Sequence, residues 1–147
     1  MDWIDELREE SRRRADRDTL EMQRAVILSE EGRIFFDKLA EEVKRGLAAF
    51  TLREHDVVFE HQAGKSFVAR KVYPYPGITV EASLSQRHIM FRTKTRTHAA
   101  TLPDETSWTI DYCLGTGDQM LYACLNGRQL DGLDAAAKLI VRKVFNL

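Results

Sequence analysis

Four side chains carry the densest chemistry that can be read from this sequence: Arg70, Glu81, His88 and Arg92. Each lies in a short segment of alternating polar and apolar residues, and pairing these segments through their turns places all four on one face of a sheet. Glu81 then faces Met90 on one side and Val72 on the other. Arg70, His88 and Arg92 become its diagonal neighbours, within reach for long side chains. A carboxylate beside two guanidinium groups stays ionised, and a histidine next to it holds its proton more readily. Two arginine forks and a pH-sensitive donor suit an anionic ligand, in a sensor or in an enzyme with His88 as general acid. The same residues also describe a cross-strand lattice of ion pairs on a wet surface, where each pair contributes little. The lattice is the preferred reading.

The face that holds these charges also carries Val58, Val68, Val72, Met90, Met120 and Tyr122. That is more apolar surface than a fully solvated sheet gathers in one place, so a cover is expected. The N-terminal helix, a second copy of the chain and a protein partner are the candidates, and a homodimer needs the fewest added assumptions. The expected role is therefore a non-enzymatic binding or assembly module, with the small-ligand site as the alternative.

Other chemical signals are weaker. Arg87, Arg92, Lys94, Arg96 and His98 make 87–98 the most basic segment. If the strand continues, Arg92, Lys94 and Arg96 share a face along which phosphates could lie, with Tyr73 and Tyr75 nearby for stacking. A net charge of −1, from 22 basic and 23 acidic residues, argues against nucleic-acid binding, and a charged edge strand that discourages aggregation is the simpler account. Arg12, Arg13, Arg14 and Arg17 sit among acids at helical spacing and form a solvated charged surface. His55 and His61 are about 20 Å apart along a strand and cannot share a metal ion. Gly115-Thr116-Gly117 lies in a hairpin turn, which removes a phosphate-cradle reading. No cofactor motif is present.

The two cysteines fall on the strands of the last hairpin. With Thr109 opposite Cys124 and Cys113 opposite Met120, they stand about 13 Å apart and remain free thiols that pack as small residues. Free thiols, no apolar run of membrane-spanning length and an N-terminus that opens on Asp2 make a cytoplasmic protein with no membrane attachment the default.

The elements that must hold these side chains follow from periodicity. Hydrophobic residues are 44% of the 147, enough for one α+β domain with its own core. A charged N-terminal helix over 1–28, able to stand partly apart, precedes a core helix over 30–50; Ser29 is the expected cap and Gly32 the weak point between them. Residues 55–125 form a predominantly antiparallel sheet of about six strands. In it, Ala63-Gly64-Lys65 pairs Phe59 with Ala69, a type II turn at Tyr75-Pro76-Gly77-Ile78 pairs Tyr73 with Val80, and a tight link at Ser85-Gln86 pairs Leu84 with Arg87. Thr95 to Thr106 reads as a loop. A C-terminal helix over 134–146, capped by Asp134, packs on the apolar face, with Phe35, Leu39, Val43, Ile140 and Val144 as the contact.

Overall fold

The structure is a computed structural model that describes residues 2–50, 56–97, 102–115 and 120–147. It contains helix α1 (Trp3–Phe50), strands β1 (Asp56–Gln62), β2 (Ser66–Tyr73), β3 (Gly77–Leu84), β4 (His88–Arg96), β5 (Asp104–Leu114), β6 (Leu121–Leu125) and β7 (Arg128–Gln129), and helix α2 (Gly132–Phe145). The strands pair antiparallel in sequence order, so the sheet is a seven-stranded meander. Both helices lie against its inner face, making the fold α+β.

Alternation fixes which side chains face inward. Phe67, Ala69, Ile78, Val80, Ala82, Ile89, Phe91, Ile110, Tyr112, Leu114 and Ala123 are buried, as the two-residue period requires. Leu39, Val43, Ile140 and Val144 meet them from the helices and are fully buried. Phe36, rather than Phe35, fills the centre of this contact, its ring centroid 5.3 Å from that of Phe67. Phe35 sits at the margin, edge-on to Tyr112 at 5.6 Å. Trp108 closes the far side, stacked on Phe91 at 3.9 Å, with its Nε1 donating to Thr93 Oγ1 and the Lys143 ammonium over its ring.

The expected break at Gly32 does not occur. Residues 3–50 form one helix, Ser29 lies inside it, and Gly32 is buried. The absent side chain has a steric purpose: a Cβ at Gly32 would lie 2.6 Å from Tyr112 Cε2. The Tyr112 hydroxyl donates to the Gly32 carbonyl at 2.9 Å, fastening helix to sheet at that point. Burial, helped by the charge of Asp37, drives the Tyr112 hydroxyl far above the ordinary tyrosine pKa, so it remains a donor. No described residue of α1 before Gly32 is buried, so the first half of the helix extends beyond the core.

Turn chemistry, unlike parity, differs from expectation. The β1–β2 register is as expected, with Phe59 opposite Ala69. The β2–β3 ladder ends at Lys71 opposite Ile78, leaving Tyr73 beyond it and exposed. Leu84 pairs with Ile89, and Cys113 with Tyr122. Every slip is by an even number of residues, so all side chains keep their face while changing neighbours. The segment expected as a loop over 95–106 is partly strand, since β4 runs to Arg96 and β5 begins at Asp104. At the C-terminal helix the cap is Asp131, and Asp134 falls in the first turn. His55, His98 and the turn at 116–118 lie outside the described residues.

Candidate functional site

The outer face can be laid out rung by rung from the strand register. One rung runs Val58, Arg70, Thr79, Lys94, Glu105 from β1 to β5; the next runs Glu60, Val68, Glu81, Arg92, Ser107; a third runs Gln62, Ser66, Ser83, Met90, Thr109. Glu81 therefore stands opposite Val68 and Arg92, instead of Val72 and Met90. Two diagonal ion pairs cross between the first two rungs: Lys94 Nζ to Glu81 Oε1 at 3.3 Å, and Arg92 Nε to Glu105 Oε1 at 2.8 Å. Both are solvent-screened, which limits each to under about 1 kcal/mol.

The four candidate ligand residues do not converge. Arg70 remains diagonal to Glu81 as expected, and Arg92 is directly opposite it but turned to Glu105. His88 lies two rungs from Glu81, about 14 Å along the strand, and faces Asp111 on β5. The misplacement has one cause: a two-residue shift of the β3–β4 register moved His88 out and Arg92 in, while the four-residue shift between β2 and β3 leaves Arg70 diagonal to Glu81.

The six apolar candidates separate into three islands. Val58, Val68 and Val72 cluster around Arg70 on β1 and β2; Met90 stands alone between Ser83 and Thr109; Met120 and Tyr122 lie at the β5–β6 end. Neither helix covers any of them, and Val58, Val72, Met90 and Met120 are 41%, 45%, 54% and 67% exposed.

Beside Tyr122 the slipped register brings the cysteines closer than expected. Tyr122 is directly opposite Cys113, and Cys124 is opposite Asp111, so the thiols are diagonal neighbours on one face. Both are free. Burial pushes the Cys124 thiol up, with Cys113 and Asp111 adding to the shift; Cys113 likewise raises the Tyr122 hydroxyl. A raised thiol pKa leaves less thiolate at neutral pH and a poorer nucleophile. Iodoacetamide should therefore label Cys124 in the folded protein more slowly than in the denatured chain, with the rate rising only above the usual thiol range. Equal rates by mass spectrometry at pH 8 would contradict that environment.

A hollow occupies the other end of the outer face. Arg70, Thr79 and Lys94 share one rung, and Arg96 faces Gly77 across the next outward-facing position. The middle strand thus presents only a threonine and a glycine between longer side chains on β2 and β4. A cleft of about 310 Å³ results, with Val72 and Tyr75 also on its wall. Gly77 is free of any backbone demand for glycine: it is absent from the left-handed region, and a Cβ there would make ordinary contacts at 3.5 to 3.8 Å. Among the described residues neither Arg70 nor Arg96 has an ion-pair partner, whereas Lys94 has Glu81. Sequence reasoning recognised Arg70, but it missed the hollow because Gly77 was assigned to a turn and 95–106, which includes Arg96, was read as a loop.

His61 proves to be an architectural residue. Its Nε2 lies 2.9 Å from Asp37 Oδ1, which also accepts the Gly64 N–H at 2.8 Å, so the first hairpin is fastened to α1. Among the described residues no three His, Cys, Asp or Glu side chains are grouped to hold a metal ion, and no helix is long and apolar enough to cross a membrane. No protein-family model, curated protein sequence or solved structure matches this chain.

Proposed function

We propose that this protein is a non-enzymatic binding module that presents the outer face of its sheet to a partner, with a second copy of the chain as the simplest occupant. The observation that carries this reading is the placement of both helices on the inner face, which leaves Val58, Val72, Met90 and Met120 open on the other. Exposed apolar islands separated by mutually satisfied charges fit a protein interface, where the islands are desolvated and the ion pairs set register. The ion pairs of Glu81 and Arg92 also weigh against a catalytic role for the Arg70, Glu81, His88, Arg92 set, since two of its members are already engaged and His88 is remote. The free thiols accord with a cytoplasmic setting.

Oligomeric state tests the reading. Sedimentation equilibrium should show a concentration-dependent dimer, and Met90→Glu or Val58→Glu should shift it to monomer with helicity unchanged. A wild-type protein that stays monomeric at high concentration would remove self-association and leave a foreign partner.

A further inference from the structure

We propose that the hollow between β2 and β4 binds a small phosphate monoester bearing a flat ring, the chemistry of a mononucleotide. The floor of the hollow is Thr79 and Gly77, and the walls supply Arg70 from β2 with Lys94 and Arg96 from β4. Neighbouring strands are about 4.8 Å apart. An anion over Thr79 is therefore flanked at similar distance by Arg70 and Lys94, with Arg96 one outward-facing position along. Cations on both sides and a hydroxyl below suit a tetrahedral group with several acceptor oxygens better than a planar carboxylate.

Charge balance gives the same class. Glu81 neutralises Lys94, and Lys71, which also lines the cleft, is only 4% exposed with burial pulling its ammonium pKa down, so the uncompensated charge open to a ligand is that of Arg70 and Arg96. Two positive charges match a phosphate monoester, which carries about −1.5 to −2 at neutral pH. On the adjoining rung Glu60 and Glu81 are acidic, and Glu105 ends the rung of Arg70. These acids confine the positive surface to one spot and disfavour the successive phosphates of a polynucleotide. Tyr75 lies on the wall, half exposed, where a ring can stack, and a volume of about 310 Å³ admits a ligand of this size.

Gly77 is the independent sign that the hollow is kept open. Gly77 is the first residue of β3, and a glycine at a paired strand position marks either a special backbone conformation or close approach by something else. The backbone at Gly77 is ordinary and has room for a Cβ, so space above the strand is what the glycine supplies. The hollow shares Val72 with the proposed interface but not Met90, so a second copy and the nucleotide compete there and Met90→Glu, outside the hollow, leaves nucleotide binding intact.

The test uses the full chain with adenosine 5′-monophosphate, inorganic phosphate, adenosine and a single-stranded RNA hexamer lacking a terminal phosphate, all at matched ionic strength. Adenosine monophosphate should raise Tm and bind by calorimetry more tightly than inorganic phosphate, while adenosine has no effect. Arg70→Ala and Arg96→Ala, both at exposed positions, should fold normally and weaken binding at least about tenfold. Gly77→Val should abolish the Tm response by filling the hollow, and Arg92→Ala should retain it. The site is overturned if neither adenosine monophosphate nor phosphate shifts Tm beyond sodium chloride, or if both arginine variants bind as the wild type does. Tighter binding of the RNA hexamer than of the nucleotide would overturn the monoester assignment.

Discussion

Gly32→Ala is expected to lower the free energy of unfolding by about 2 kcal/mol, although alanine in an exposed helix raises it by about 1 kcal/mol over glycine. The added methyl would lie 2.6 and 2.8 Å from two carbons of the Tyr112 ring. That ring cannot withdraw freely, because it is buried, its hydroxyl bonds to the Gly32 carbonyl, and Phe35 packs on its edge. Helix and strand must separate, at a cost to the contacts on either side. Combining Gly32→Ala with Tyr112→Ala should recover part of the loss attributable to the clash, so the two changes should be strongly non-additive in urea denaturation. A Gly32→Ala protein more stable than the wild type would mean that α1 does not approach β5 this closely.

Val80→Asp should cost several kcal/mol and at the extreme abolish folding. Val80 is fully buried between Ala69 on β2 and Thr93 on β4, under the helices, where a carboxylate has no partner. Thr79→Asp, one residue away, points to the outer face between Arg70 and Lys94 and should change stability by less than about 1 kcal/mol. Chemical denaturation of the two variants measures the facing of β3 directly. Similar losses in both would reverse the inner and outer sides of the sheet.

The contrast between these neighbouring positions shows what was legible in the sequence. Alternation of Phe67, Ala69, Ile78, Val80, Ala82, Ile89 and Phe91 determines parity, and parity alone decides which side chains are buried. Absolute register depends on how each turn closes, which polar composition specifies poorly. The pair Phe59 and Ala69 was readable because the β1–β2 ladder closes at Gln62 and Ser66 directly on the loop with Gly64, whereas the next ladders stop short of their links, at Lys71 with Ile78 and at Leu84 with Ile89, and the link from Leu114 to Leu121 is longer. An interior face is forgiving of an even slip; a constellation of charges is not. Hence the core was readable while His88 was misplaced relative to Glu81. Gly32 failed for a different reason. Its low helix propensity suggested a break, but a close contact with Tyr112, 80 residues away in the chain, makes the missing side chain an asset. Phe35 and Phe36 are adjacent, and a helical stripe wide enough to include both cannot say which one lies at its centre.

The single helix Trp3–Phe50 joins two segments that are helical for different reasons. It is about 72 Å long at 1.5 Å per residue, and its buried positions begin at Gly32 and end at Leu47. Forming the first turn of an isolated helix is unfavourable, whereas extending an existing one adds a hydrogen bond for each residue ordered. The docked half supplies that nucleus from the tertiary fold. The outer half then propagates from it, supported by local pairs such as Arg13 with Glu9 at 2.8 Å. Order in the arm therefore flows outward from the core, and the same residues cut free as a peptide have no nucleus from which to grow.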